Sequence, residues 1–232
     1  MEKENYEMQK KQLMDSWHNR KQDGDIGFVS DGIINFDHWV NNDLKLLFFA
    51  REAYSDSDKV WDYAEWYNEG NGRVTYSKGQ PFHNRINEWS YAIDAAMHSK
   101  QSINREVAIK HDYEGCRRTT LRSAVINIKK INGKSESKLK DLRSISKRDK
   151  DLMAKQLDLI KPNTILFCAT FGDILKDILF EGADKIPGTE RCYDKDGILL
   201  IDFFHPTRID TNSFYWLFED VSKIENKAKY LK

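Results

Sequence analysis

Proline is scarce in this chain, four in 232 residues, and cysteine scarcer still, at three. Cys116, Cys168 and Cys192 lie far apart and lack CxxC spacing. A zinc or iron–sulfur centre needs about four ligands at recognisable spacing, so the three read as ordinary thiols, Cys168 in the core. His18, His38, His98 and His111 show no ligand spacing either, and neither a metal nor a cofactor is expected. Net charge is also missing: 37 Lys and Arg balance 37 Asp and Glu, so global charge says nothing about a polyanionic partner. No apolar stretch approaches the roughly 20 residues of a membrane span. The opening MEKENYEMQKKQLMDSW is too charged for a signal peptide, which makes a cytoplasmic setting the expectation. With no internal repeat and no Pro- or Ser-rich linker, one domain is expected: an N-terminal helix and lead-in over residues 1–42, and an α/β core over 43–232.

What is present is organised around DLKLLFFAREAYSD, residues 43–56. The apolar run 44–50 is short and bounded by polar residues, as suits a strand buried on both faces. It breaks abruptly into Arg51-Glu52-Ala53-Tyr54. Two later stretches share the design, Ala124-Val125-Ile126 followed by Asn127, and 199–204 followed by His205-Pro206. In open α/β sheets ligands bind beyond the carboxyl ends of the strands. If the three strands are parallel neighbours, Glu52, Asn127 and His205 converge at one end.

The remaining pattern predicts charged helix over residues 2–22, an irregular lead-in over 25–39, helix over 57–67 and a Gly- and Pro-punctuated loop over 71–84. Ile86, Trp89, Ile93 and Met97 recur at helical spacing. Residues 101–122 read as helical in parts. A second strand is expected at 123–128. A helix beginning at Ser146, with Asp149 three residues on, is stopped by Lys161-Pro162-Asn163. A strand is then predicted at 164–169, a short helix at 171–180, a strand at 198–204 and an amphipathic helix over 211–230. Alternating strands and helices imply a three-layer α/β/α fold with a four-stranded parallel sheet. One segment is locally basic: residues 129–150 hold nine Lys and Arg against three acids. A solvated surface and a phosphate-binding patch both explain such a run.

Four of these places resemble the uracil-DNA glycosylase superfamily. Arg51-Glu52-Ala53-Tyr54 is similar to its water-activating Gln-Asp-Pro-Tyr loop. Gly79-Gln80-Pro81-Phe82 resembles the segment whose Phe stacks on the flipped base. Val125-Ile126-Asn127-Ile128-Lys129-Lys130 resembles the strand that ends in a base-reading Asn. His205-Pro206-Thr207 resembles the motif opening the DNA-intercalating loop. Ala53 stands where the family has Pro and Glu52 where it has Asp, and the cysteines of the iron–sulfur branch are missing. Among branches, the chain is most similar to small bacterial anti-phage proteins implicated in removing bulky modified cytosines such as glucosylated hydroxymethylcytosine.

The resemblance implies a monofunctional DNA glycosylase, acting as a monomer on double-stranded DNA with one flipped nucleotide. Glu52 would stabilise the oxocarbenium-like sugar and orient water. His205 would donate to the carbonyl oxygen of the departing base, and Asn127 would read a base edge. Phe82 would stack on the base, with His83, Tyr54 and Arg51 beside it. Lys129, Lys130, Lys134, Thr207 and Arg208 would hold DNA, and Ile209 or Arg208 would wedge the gap. Each residue also has an ordinary reading. Glu52 can pair with Arg51, Asn127 can cap a loop, His205 can be structural and Phe82 can be core. A uracil or mismatch repair enzyme, a non-catalytic nucleic-acid-binding module and a small-molecule hydrolase on the same scaffold are the alternatives.

Overall fold

The apolar runs form the centre of a sheet. The computed structural model describes residues 2–20, 27–54, 59–68, 81–106, 119–133 and 138–231. In chain order these hold α1 (Lys3–His18), β1 (Phe28–Ser30), β2 (Gly32–Ile33), α2 (Phe36–Val40), β3 (Leu46–Tyr54), β4 (Val60–Asp62), α3 (Tyr63–Asn68) and α4 (Pro81–Met97). Then come β5 (Ala124–Gly133), α5 (Leu139–Arg148), α6 (Lys150–Ile160), β6 (Thr164–Cys168), a π-helical turn (Phe171–Leu175) and α7 (Lys176–Leu179). The chain continues through β7 (Asp184–Lys185), β8 (Cys192–Lys195), β9 (Ile198–Phe203), a 3-10 turn (Pro206–Arg208) and α8 (Ser213–Ser222).

The main sheet has seven strands in the order β2-β5-β3-β6-β9-β8-β7, and β1 pairs with β4 in a separate parallel ribbon. β5, β3, β6 and β9 are mutually parallel, while β2, β8 and β7 join antiparallel. Successive side chains on a strand face opposite ways, and here both faces are apolar. Leu46 and Phe48 pack with Val125, Leu166, Ile201 and Phe203 under α4 and α8. Leu47 and Phe49 pack with Ile126, Ile165, Phe167 and Leu200 under α1, α5 and α6. Phe49 stacks on Phe167 at 5.9 Å. Truncating either ring to Ala would cost about 3–5 kcal/mol. The helical spacing of Ile86, Trp89, Ile93 and Met97 turns one face of α4 into the core, all four at 2% exposure or less.

The structure corrects several expectations. The sheet has seven strands rather than four, because β2, β7 and β8 are two to four residues long, too short for an apolar run. The lead-in is not irregular: it supplies β1, β2 and α2. Residues 60–62, expected in a helix, form β4. Ser146 lies inside α5, and it is Asp149 that separates α5 from α6. The strands ahead of Glu52 and Asn127 do not stop where their apolar runs stop. β3 runs on through Arg51 and Glu52 to Tyr54, and β5 continues through Asn127 to Gly133. The three strands are parallel, but β6 intervenes between β3 and β9. Lys161 closes α6 in a left-handed conformation, as the stop signal anticipated.

Candidate active site at the carboxyl edge of the sheet

At the carboxyl end of β3, Glu52 pairs across the ladder with Lys129 of β5. Its Oε2 lies 3.1 Å from the Lys129 ammonium, and the Glu52 side chain is 8% exposed. Directly after this pair the register slips: Tyr54 pairs with Gly133, so β5 spends four residues where β3 spends two. Such a bulge re-aims side chains at a sheet end. Gly133 then lies flat against Glu52, where an added Cβ would sit 2.4 Å from its Cγ and 2.5 Å from its Cδ. The carboxylate is thus held by an ammonium on one side and a bare backbone on the other.

Next along the edge, Arg51 donates from Nη2 to the carbonyl of Ala169 at 3.2 Å. Ala169, just past β6, is a non-glycine residue at φ 54°, a sparsely populated conformation of the kind that clusters at functional sites. Burial and the charge of Arg208 both lower the pKa of Arg51. Its Nε is buried without a partner among the described residues. The charge of Glu52 opposes that shift, so Arg51 stands between a guanidinium and a carboxylate at the strand exit.

His205 follows β9 and opens the 3-10 turn. Its Nδ1 lies 2.9 Å from Thr207 Oγ1 and accepts from the Thr207 backbone N–H at 3.4 Å. A ring nitrogen that accepts carries no proton, so the neutral ring is the Nε2–H tautomer. Burial, with Arg51 and Arg208 adding repulsion, lowers its pKa to about 4. His205 is therefore a neutral hydrogen-bond donor at physiological pH. Phe82, near the start of α4, faces it at 6.2 Å between ring centroids. His83 lies 5.4 Å from Phe82 and 4.4 Å from Trp66, and burial lowers its pKa to about 4 as well.

The other expected residues are placed differently. Asn127 does not end a strand: it is the fourth residue of β5, 2% exposed, opposite Ala50. Strand alternation puts it on the face of Lys129, two residues deeper. Its backbone N–H and its Nδ2 donate to Asp31 Oδ2 at 2.7 and 3.1 Å. Lys130 does not meet solvent and is not placed to hold a phosphate. It is 4% exposed, with its ammonium 2.5 Å from Asp31, 3.1 Å from Gln156 Oε1 and over the Trp17 ring. Burial lowers its pKa, and Asp31 opposes that shift. Thr207 and Arg208 are exposed beside His205, while Ile209 packs partly against the core. The Tyr54 side chain, Gly79, Gln80, Lys134 and Cys116 lie outside what the structure describes. Cys168 and Cys192 are buried thiols pushed well up by desolvation.

Asp31 is the site-adjacent residue that sequence reading missed. Its one signal was position, a lone acid between two short apolar segments. A cleft of about 750 Å³ between α1, β1 and α3 is lined by none of the candidate residues. Its deepest charges, Lys10 and Asp62, neutralise each other at 2.7 Å, so the chemistry points to the sheet edge instead. Among the described residues no cluster of His, Cys, Asp or Glu is placed to hold a metal ion, and no helix is long and apolar enough to cross a membrane. The chain matches no protein-family model, and a search of curated proteins finds no match.

Proposed function

We propose that the protein is a DNA N-glycosyl hydrolase, built as a three-layer α/β/α fold of the uracil-DNA glycosylase kind. The observation that carries this reading is the pairing of two groups on one sheet edge. One is a carboxylate held against Lys129 and Gly133. The other is a histidine kept neutral with Nδ1 committed to Thr207. Cleaving an N-glycosidic bond develops positive charge on the sugar and negative charge on the departing base. Glu52 answers the first and orients the attacking water. His205 Nε2–H answers the second, and a neutral donor does so without protonating the base. Phe82 provides the stacking surface, and Arg51 and Arg208 hold phosphate oxygens.

Asn127 lies beneath this edge. It is buried and tied to Asp31 through its backbone N–H and Nδ2, so it would act on a base only from behind the edge. A bulky 5-substituted cytosine of phage DNA, in a defence role, is the substrate we infer. Uracil or mismatched thymine is the runner-up. A basic surface on α5, with Lys140, Arg143, Lys147 and Arg148 exposed, favours nucleic-acid binding even without catalysis. The test is an abasic-site assay on matched duplexes carrying uracil, thymine mismatches, 5-hydroxymethylcytosine or its glucosylated form, with alkali cleaving the product strand. Release from at least one duplex, lost in Glu52→Gln, is the expected result. No release from any duplex, with salt-dependent binding intact, would leave the non-catalytic module in its place.

A further inference from the structure

His83 and His205 both pack against Phe82, at 5.4 and 6.2 Å between ring centroids, and are wired alike. Each has its Nδ1 occupied by hydroxyl groups. For His83 these are Tyr63 at 3.1 Å and Tyr67 at 3.2 Å; for His205 the group is Thr207. Both tyrosines are buried, at 3% and 4% exposure, and desolvation raises their pKa values, so both hydroxyls keep their protons. Of the two tautomers these contacts allow, the one in which a hydroxyl donates to Nδ1 carries the ring proton on Nε2. The ring is half-buried. With Nδ1 turned to the two tyrosine hydroxyls, Nε2 is the ring nitrogen left for a ligand, and no hydrogen bond of Nε2 is found among the described residues.

We propose that His83 is a specificity-determining residue whose Nε2–H donates a hydrogen bond to an acceptor on a planar heterocycle stacked on Phe82, with Tyr63 and Tyr67 as positioning residues that fix its tautomer. The substrate class is a ring with at least two exocyclic or ring-nitrogen acceptors, one for His205 and one for His83. No charged side chain touches the His83 ring among the described residues. Its surroundings are Tyr63, Trp66, Tyr67 and Phe82, so the donor is neutral and shape-selective rather than ionic. The inference deepens the hydrolase reading and rests on it for the identity of the ligand as a base.

The experiment has a spectroscopic arm and a kinetic arm. Long-range nitrogen–proton correlation spectra of the full chain are expected to show His83 as the Nε2–H tautomer. Millimolar free uracil or cytosine should shift its Nε2 and Cε1–H resonances. Tyr63→Phe combined with Tyr67→Phe removes both oxygens and should return His83 to a mixture of tautomers with the fold intact by circular dichroism. His83→Phe should slow single-turnover base release about tenfold, the worth of one neutral hydrogen bond. A wild-type Nδ1–H tautomer overturns the proposal. So does His83→Phe within twofold of wild type with His83 resonances unmoved by either base. A protein that releases no base from DNA, yet shifts His83 on adding free base, loses the hydrolase reading and keeps this one.

Discussion

Lys129 and Lys130 are neighbours on β5, and alternation sends them to opposite faces of the sheet. Lys130 enters a closed network, in which Asp31 receives donors from Lys130, Gln156 and both nitrogens of Asn127. Lys129 stands at the open edge beside Glu52. There, among the described residues, Arg51 keeps an unpartnered Nε, and the imidazoles of His83 and His205 bond through Nδ1. The contrast separates two uses of buried polarity. In the closed network the polar groups answer one another and the result is structure. At the edge donors are left over after the fold is complete, which is how a binding site differs from a core.

The comparison breaks most visibly if Asp31 is removed. Asp31→Ala leaves Lys130 buried and uncompensated, and urea denaturation should show a loss of about 3–5 kcal/mol. A loss under about 1 kcal/mol, the worth of an exposed pair, would mean that the network is slack. At the open edge the opposite pattern is expected. His205→Ala and Glu52→Gln should each reduce base release about 100- to 1,000-fold, with a smaller loss of stability than Asp31→Ala causes. Equal damage to stability and rate would erase the distinction between the two regions.

Gly133→Ala sits between the two regimes. Its methyl group would displace the Glu52 carboxylate, and overpacking of this kind costs about 1–3 kcal/mol. Release should fall more than Lys129→Ala makes it fall, and a crystal structure should show Glu52 moved. The pH dependence of stability sharpens the contrast further. His83 and His205 have folded pKa values near 4, below the roughly 6.5 of an unfolded histidine. Between those values the unfolded chain binds more protons, so stability rises with pH. The contribution is complete above about pH 6.5 and is lost as pH falls towards 4, with a limiting slope of about 1.4 kcal/mol per pH unit for each ring. His83→Phe should flatten that slope in urea titrations from about pH 4.5 to about 7.5. The smallest effect belongs to α5. Reversing Lys140 or Lys147 should weaken DNA binding for every sequence and reduce the salt slope by about 0.9 for each phosphate no longer neutralised.

How far the sequence could be read depended on which forces a residue answers to. The four parallel strands were legible because the neighbours Leu47 and Phe48, Val125 and Ile126, Leu166 and Phe167, and Leu200 and Ile201 put apolar side chains on both faces. α4 was legible from a single spacing. The strand ends were not, because Arg51, Glu52, Lys129 and Lys130 are paired by the ladder although their side chains are charged, and hydropathy stops at the first charge. Asn127 and Lys130 were misplaced for the same reason: a strand that continues turns an exit residue into an interior one. Asp31 carried no periodic signal, since its role lies with Asn127, Lys130 and Gln156, all distant in sequence. His83 was visible only as a neighbour of Phe82. Its link to Tyr63 and Tyr67 depends on how β4, α3 and α4 fold together.

The sheet ends in β2 on one side and β7 on the other, each two residues long. A strand that brief offers an incoming chain almost no ladder to extend, and β7 adds the exposed charges of Asp184 and Lys185. On the β7 side, β8 and β7 thus stand between β9 and any edge-to-edge pairing with another molecule. The Leu- and Ile-rich run of β9 is left no free ladder on which a like segment could stack.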